Sequence, residues 1–168
     1  MDDGERPRTV QFIRCSRIRI EGISIINSPC WTINPICCTD VVVSGITIRN
    51  PYESPNTDGI NPESCKNVRI SDCCVDVGDD CITIKSGLET DTLQKQSPCE
   101  NITVTNCTLI HGHGGVVIGS EMSGGIRNVA ISNCVFQNTD RGIRIKPRRK
   151  RGGCVENITV SNLIMDSV

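Results

Sequence analysis

The sequence predicts an all-β chain wound as a parallel β-solenoid, and three observations carry that expectation. A short apolar-x-apolar motif recurs along the whole chain, further apolar columns keep step with it, and Gly, Asn and Asp punctuate the intervals. No segment shows the helical apolar period.

The motif reads Ile18-Arg19-Ile20, Val41-Val42-Val43, Val68-Arg69-Ile70, Ile102-Thr103-Val104, Val129-Ala130-Ile131 and Ile158-Thr159-Val160, at spacings of 23, 27, 34, 27 and 29 residues. Alternation with period two makes each a short strand with one buried side. A column of Ile23, Ile46, Cys73, Cys107, Cys134 and Leu163 follows, then one of Ile25, Ile48, Val75, Leu109, Phe136 and Met165. The middle repeats add a third piece: Ile60, Ile82-Thr83-Ile84, Val116-Val117-Ile118 and Ile143-Arg144-Ile145. Such a unit cannot bury its apolar side alone. Stacked as coils about 4.8 Å apart, each strand pairs with its counterpart in the next coil. Asn27, Asn50 and Asn138 share one column at a turn, which predicts amides bonded to one another along the stack.

Composition narrows the function. At 168 residues the chain predicts one solenoid domain, residues 1–168, and its net charge of −1 selects no partner by sign. Aromatic residues make up 2%, too few for stacking bases or bare sugar rings. No apolar run approaches membrane-spanning length, so neither nucleic acid nor membrane is an expected partner. The opening Met1-Asp2-Asp3-Gly4-Glu5-Arg6-Pro7 is polar and unlike a signal peptide. As written the chain is expected in the cytoplasm, or secreted or periplasmic if a leader precedes it.

Twelve cysteines include no Cys-x-x-Cys, and Cys73, Cys107 and Cys134 occupy a core column, so they read as buried hydrophobes rather than metal ligands or disulfides. The sequons at Asn101, Asn106 and Asn157 follow the repeat and read as turn residues.

Four segments fall at one phase of the repeat: Asn56-Thr57-Asp58, Gly78-Asp79-Asp80, Gly112-His113-Gly114 and Arg144-Ile145-Lys146. Asp58 and Asp80 each precede an inward apolar residue by two positions, so they are expected on adjacent coils, with His113 taking the Asp79 position one coil on. Arg144 and Lys146 flank inward Ile145 and must point outward. Each segment alone is ordinary turn or strand chemistry. In phase they gather into a patch of roughly 10–15 Å along the axis. Three clustered carboxylates can hold one proton while the others stay ionised, which is what glycosidic cleavage needs. Cations in place of aromatic platforms suit a polymer with a carboxylate on every sugar. Arg141 falls on the same side, and Arg148-Arg149-Lys150-Arg151 reads as a solvated turn beside the cleft.

This ordered set resembles that of the polygalacturonase family, glycoside hydrolase family 28, and Ser28-Pro29-Cys30-Trp31-Thr32-Ile33-Asn34-Pro35 is similar to a further family segment. The resemblance implies a right-handed parallel β-helix of the pectin-lyase-like kind. It further implies hydrolysis of α-1,4 bonds between galacturonic acid units of pectin, with inversion and without a metal or other cofactor. Carried over by position, Asp79 is the general acid, with its pKa raised by its neighbours, and Asp58 and Asp80 activate the water. His113 supports the proton of the acid, while Asn56, Arg141, Arg144 and Lys146 hold the substrate. Family domains are considerably longer, so the chain resembles a central slice, with catalytic coils over about 50–150. Two other readings stand beside the enzyme: a solenoid that binds an acidic polysaccharide without cleaving it, and a purely structural repeat. A calcium-dependent lyase on the same fold is a rival within the enzyme class.

Overall fold

The computed structural model describes residues 6–88, 90 and 97–168. Met1–Glu5, part of the polar opening noted above, lie outside them. Every regular element among the described residues is a strand, and every strand pairing is parallel. Among the described residues no helix is long and apolar enough to cross a membrane.

The chain makes six coils in three columns. The first column stacks β1 (Val10–Ile13), β4 (Ile33–Ile36), single bridges at Ile60 and Glu63, β9 (Ile82–Ile84), β12 (Val116–Gly119) and β14 (Ile143–Lys146). The second stacks β2 (Ser16–Glu21), β5 (Thr39–Ser44), β7 (Lys66–Ser71), β10 (Cys99–Thr105) and the first half of β13 (Ile126–Gln137). The third stacks β3 (Ser24–Ile26), β6 (Thr47–Arg49), β8 (Cys74–Asp76), β11 (Thr108–Ile110) and the second half of β13. β15 (Val155–Asp166) runs along the full length of β13 and completes both.

The apolar columns of the sequence are the ladders of the structure. Ile18, Val41, Val68, Ile102, Val129 and Ile158 are successive Cα partners, and so are Ile25, Ile48, Val75, Leu109, Phe136 and Met165. From the second coil to the fifth these positions are buried, and they form one continuous core. The large exposed apolar side chains lie mainly on the outermost coils, among them Ile13 and Ile26 at one end and Ile145 and Met165 at the other, where no coil covers them. All twelve cysteines are free thiols, most of them buried. In-register cysteines lie along the tube: the Cys38 N–H donates to Cys65 Sγ at 3.4 Å, and the Cys65 N–H to Cys99 Sγ at 3.3 Å.

The expected amide stack at Asn27, Asn50 and Asn138 does not form. Asn50 spends its amide nitrogen on Thr32 Oγ1 and the Thr57 carbonyl, and its oxygen accepts the Ser28 N–H. Val77 and His111 occupy the same turn in the coils between Asn50 and Asn138. The ladder stands instead at a bend inside the second column. Asn157 Nδ2 donates to Asn128 Oδ1 (3.1 Å), Asn128 to Asn101 (3.0 Å), Asn101 to Asn67 (3.1 Å) and Asn67 to Asp40 Oδ1 (2.9 Å). All five residues have φ between 55° and 58°. Asn and Asp tolerate this left-handed conformation better than other side chains, which is why the bend recurs where they recur. The amide nitrogens of Asn101 and Asn157, and that of Asn106 through Asp72, are therefore donating along the stack.

Candidate active site

The functional residues sit on the outer side of the first column and in the turns leading into it. Ile60 pairs with Ile82, which brings Asp58 level with Asp80 on the next coil; Val116 pairs with Ile82, which brings His113 level with Asp79. Backbone contacts fix both turns. The Gly59 N–H donates to the Asp80 carbonyl and the His113 N–H to that of Asp79. Two glycines are required by space: a Cβ on Gly78 would lie 2.5–2.7 Å from the carbonyls of Pro51, Tyr52 and Ser54, and one on Gly112 would lie 2.5 Å from the Asp79 carbonyl.

Asp58, Asp79 and Asp80 present one oxygen each within 4.8 Å of the others. Asp58 is buried, and its Oδ2 accepts from Asn61 Nδ2 at 2.9 Å and Thr83 Oγ1 at 3.3 Å. Asp79 is partly exposed; its Oδ1 accepts the Asp80 N–H at 2.9 Å and its Oδ2 the Asn56 N–H at 3.3 Å. His113 Nδ1 stands 3.4 Å from Asp79 Oδ1. Asp80 is 1% exposed: Lys146 Nζ lies 2.5 Å from its Oδ2, while its Oδ1 has no hydrogen-bond partner among the described residues.

These groups line a cleft of about 160 Å³ with Trp31, Asn56, Lys85, Ser120, Glu121 and Lys146. The deepest cation is Lys85, 4% exposed, with Nζ 2.8 Å from Glu121 Oε2 and 4.4 Å from the centre of the Trp31 ring. Arg151 reaches the same Glu121 at 3.0 Å and Ser120 Oγ at 2.5 Å. Burial pushes the Asp58 carboxyl up to about 7, helped by repulsion from Asp79 and Asp80 and opposed by Lys85. Burial works against the Lys85 charge, but Asp58 and Glu121 outweigh it and leave its pKa raised. Glu121 is drawn down to about 2: burial would raise it, and the attraction of Lys85, with Arg151 adding to it, overcomes that. Four acids and three bases thus largely balance in this cleft.

Of the eight residues singled out from the sequence, Asn56, Asp58, Asp79, Asp80 and Lys146 line the cleft, and His113 stands beside Asp79. Arg144 and Arg141 do not line it. Arg144 stacks on Val117 one position along β14, Arg141 is exposed in the preceding turn, and neither side chain has a hydrogen bond or ion pair with the described residues. Arg148, Arg149 and Lys150 are solvated as expected, but Arg151 turns back into the cleft wall. Sequence reasoning missed Lys85, Glu121 and Arg151. Lys85 carried one signal: it follows Thr83 at strand spacing and so shares its outward side.

The described residues thus form a six-coil parallel solenoid with a carboxylate cluster on its outer side. The glycosyl hydrolases family 28 profile matches residues 2–168, and the chain belongs to that family. It is similar to a probable polygalacturonase of Vitis vinifera (39% identity over 97% of this chain and 33% of the relative). It is also similar to an endo-polygalacturonase of Pectobacterium carotovorum (31% identity over 96% of this chain and 38% of the relative). Among solved structures it superposes on the exopolygalacturonase of Thermotoga maritima with a TM-score of 0.87 at 42% identity, covering 96% of this chain and 38% of that one. The polygalacturonase of Erwinia carotovora gives a TM-score of 0.88 at 30% identity. The chain spans about a third of the length of the curated relatives it matches.

Proposed function

We propose that these coils carry the cleavage centre of a polygalacturonase, hydrolysing α-1,4 bonds between galacturonic acid units of pectin. The observation that carries this reading is the convergence of Asp58, Asp79 and Asp80 on one cleft, with the second oxygen of Asp80 unpartnered among the described residues. Asp79, the most exposed of the three, stands where it can give a proton to the leaving oxygen, and His113 beside it steadies that proton. Asp58 and Asp80, level on adjacent coils, take a water between them, and whichever of the two is ionised accepts its proton as it attacks. Lys146 balances the Asp80 charge through this step. Arg144 and Arg141, which have no side-chain partners among the described residues, meet uronate carboxylates beside the cleft.

One-step attack by water inverts the anomeric centre. A second reading is favoured by the crowding of the three carboxylates, which leaves little room for a water between acid and base. In that reading Asp80 attacks the sugar itself. The third carboxylate supports the water route, because two acceptors converge on one place opposite the acid. A reducing-end assay on polygalacturonate tests cleavage. Proton NMR of the fresh product, before mutarotation, separates the routes: the inverted anomer supports ours, and the retained anomer assigns Asp80 as nucleophile. Binding of polygalacturonate without new reducing ends would identify a carbohydrate-binding solenoid instead.

A further inference from the structure

A lysine buried to 4% exposure in a polar cleft is costly unless its charge is used. Lys85 is too enclosed to meet a polymer: its side chain is 5% exposed, closed in by Glu121 on one side and the Trp31 ring on another. Trp31 is itself held from outside by Arg8, whose guanidinium carbon lies 4.6 Å from the ring centre. Thr83, two residues before Lys85 and on the same side of the chain, already touches Asp58 Oδ2 at 3.3 Å. Lys85 therefore extends a row of groups that begins at the Asp58 carboxylate.

We infer that Lys85 is a positioning residue for the cleavage centre: clamped between Glu121 and Trp31, its ammonium stands behind Asp58 and eases the release of a proton from the Asp58–Asp80 pair, and Glu121 with Arg151 holds the ammonium in place. The inference rests on the polyuronate-cleaving reading above, and it assigns a task to the three residues of the cleft wall that the reaction itself does not use. Without a cation, two buried carboxylates on adjacent coils would share a proton and could not both accept one from water.

Asp58 is faced from every neighbouring coil. Asn61 comes from its own coil; Thr83, Lys85, Asp79 and Asp80 come from the next. Glu121 acts through Lys85, and His113 stands on Asp79. Lys146 acts through Asp80 and Arg151 through Glu121, both from the last coil. Trp31 closes the side below, and Glu63 is level with Lys85 on the preceding coil. Lys85 is the cation whose attraction opposes the upward push of burial on Asp58, and the low pKa of Glu121 keeps the clamp charged across the working range.

The test is a carboxyl-carbon NMR titration of the full chain with labelled aspartate, the Asp58 signal being assigned by its loss in Asp58→Asn. Lys85→Met is expected to raise the Asp58 midpoint by about one pH unit or more, while Lys85→Arg leaves it within about half a unit. Glu121→Gln is expected to lower it, because the ammonium then faces Asp58 without a competing anion. A role confined to packing predicts no shift in either variant. An unchanged midpoint in folded Lys85→Met overturns the inference, as does an upward shift in Glu121→Gln; if Lys85→Met fails to fold, Glu121→Gln decides alone. On polygalacturonate, the acid limb of the kcat/KM profile should move with the midpoint. Shifted midpoints in a chain that cleaves nothing would support the electrostatic role of Lys85 and remove the catalytic reading, so the two fail separately.

Discussion

Lys146 places its ammonium 2.5 Å from Asp80 Oδ2, across 66 residues of sequence and two steps of the stack. The pair explains why a strand on the sixth coil belongs to a site built on the third and fourth. It also divides two cations that the sequence presents as equivalents. Lys146 is engaged within the site, whereas Arg144 has no side-chain partner among the described residues.

The two should therefore fail differently. Lys146→Met leaves the Asp80 charge buried and unpaired, so kcat should fall steeply and stability should drop by about 1–3 kcal/mol in urea denaturation. Arg144→Ala should raise KM for polygalacturonate with little change in kcat. It should also flatten the salt dependence of binding. A rise in KM alone for Lys146→Met would contradict this division.

Each carboxylate is expected to matter for turnover. Asp79→Asn removes the proton donor, and Asp58→Asn or Asp80→Asn weakens activation of water. Loss of a general acid or base typically costs about 100- to 10,000-fold. Initial rates on polygalacturonate check this, with far-ultraviolet circular dichroism confirming that the coils persist. Any one variant keeping more than about a tenth of the rate would remove that residue from the assignment.

Stability should fall as pH rises through the range where Asp58 loses its proton. Its carboxyl is raised from 3.8 to about 7, so between those values the folded chain holds a proton that the unfolded chain has released. The stability present below the lower value is lost on passing the upper one. At about 1.36 kcal/mol per unit, the ceiling is about 4 kcal/mol. Asp58→Asn should flatten this dependence and gain on the parent chain at pH 8 relative to pH 4. Urea midpoints at the two pH values measure it.

Gly112→Ala should disturb both fold and site. The added Cβ would lie 2.5 Å from the Asp79 carbonyl and 2.7 Å from Cys81 Sγ, so the turn carrying His113 must shift away from Asp79. A loss of about 1–3 kcal/mol is expected from overpacking. The His113–Asp79 contact should loosen in the same variant, and histidine NMR would detect that.

Much of this was legible in the residue order. Period-two alternation repeated in register is a local signal, and it marked the inward ladders and the phase at which Asp58, Asp80 and His113 meet. What escaped was whatever depends on how outward side chains cross between coils. The link from Lys85 to Glu121 spans 36 residues and that from Arg151 to Glu121 spans 30, and no spacing rule connects them. The Asn50 column misled because a shared turn position does not determine where an amide points. Thr32, Thr57 and Ser28 lay closer than Asn27. The ladder at Asn67, Asn101, Asn128 and Asn157 was readable in principle, since each precedes its apolar-x-apolar motif by one residue.

That ladder has a direction. Every rung donates from the later coil to the earlier one, and the series ends on Asp40, whose carboxyl accepts and brings no amide N–H. An asparagine corner brings its own donor and its own acceptor, so a coil can be duplicated or deleted between two others and the corners still match. Asp40 brings no amide donor, and the corner beneath it on the first coil is Arg17, which holds the same φ of 56° and has no acceptor to satisfy. Lengthening by tandem copying is thus compatible with any asparagine-cornered coil here, whereas the aspartate suits only a place above a corner such as Arg17.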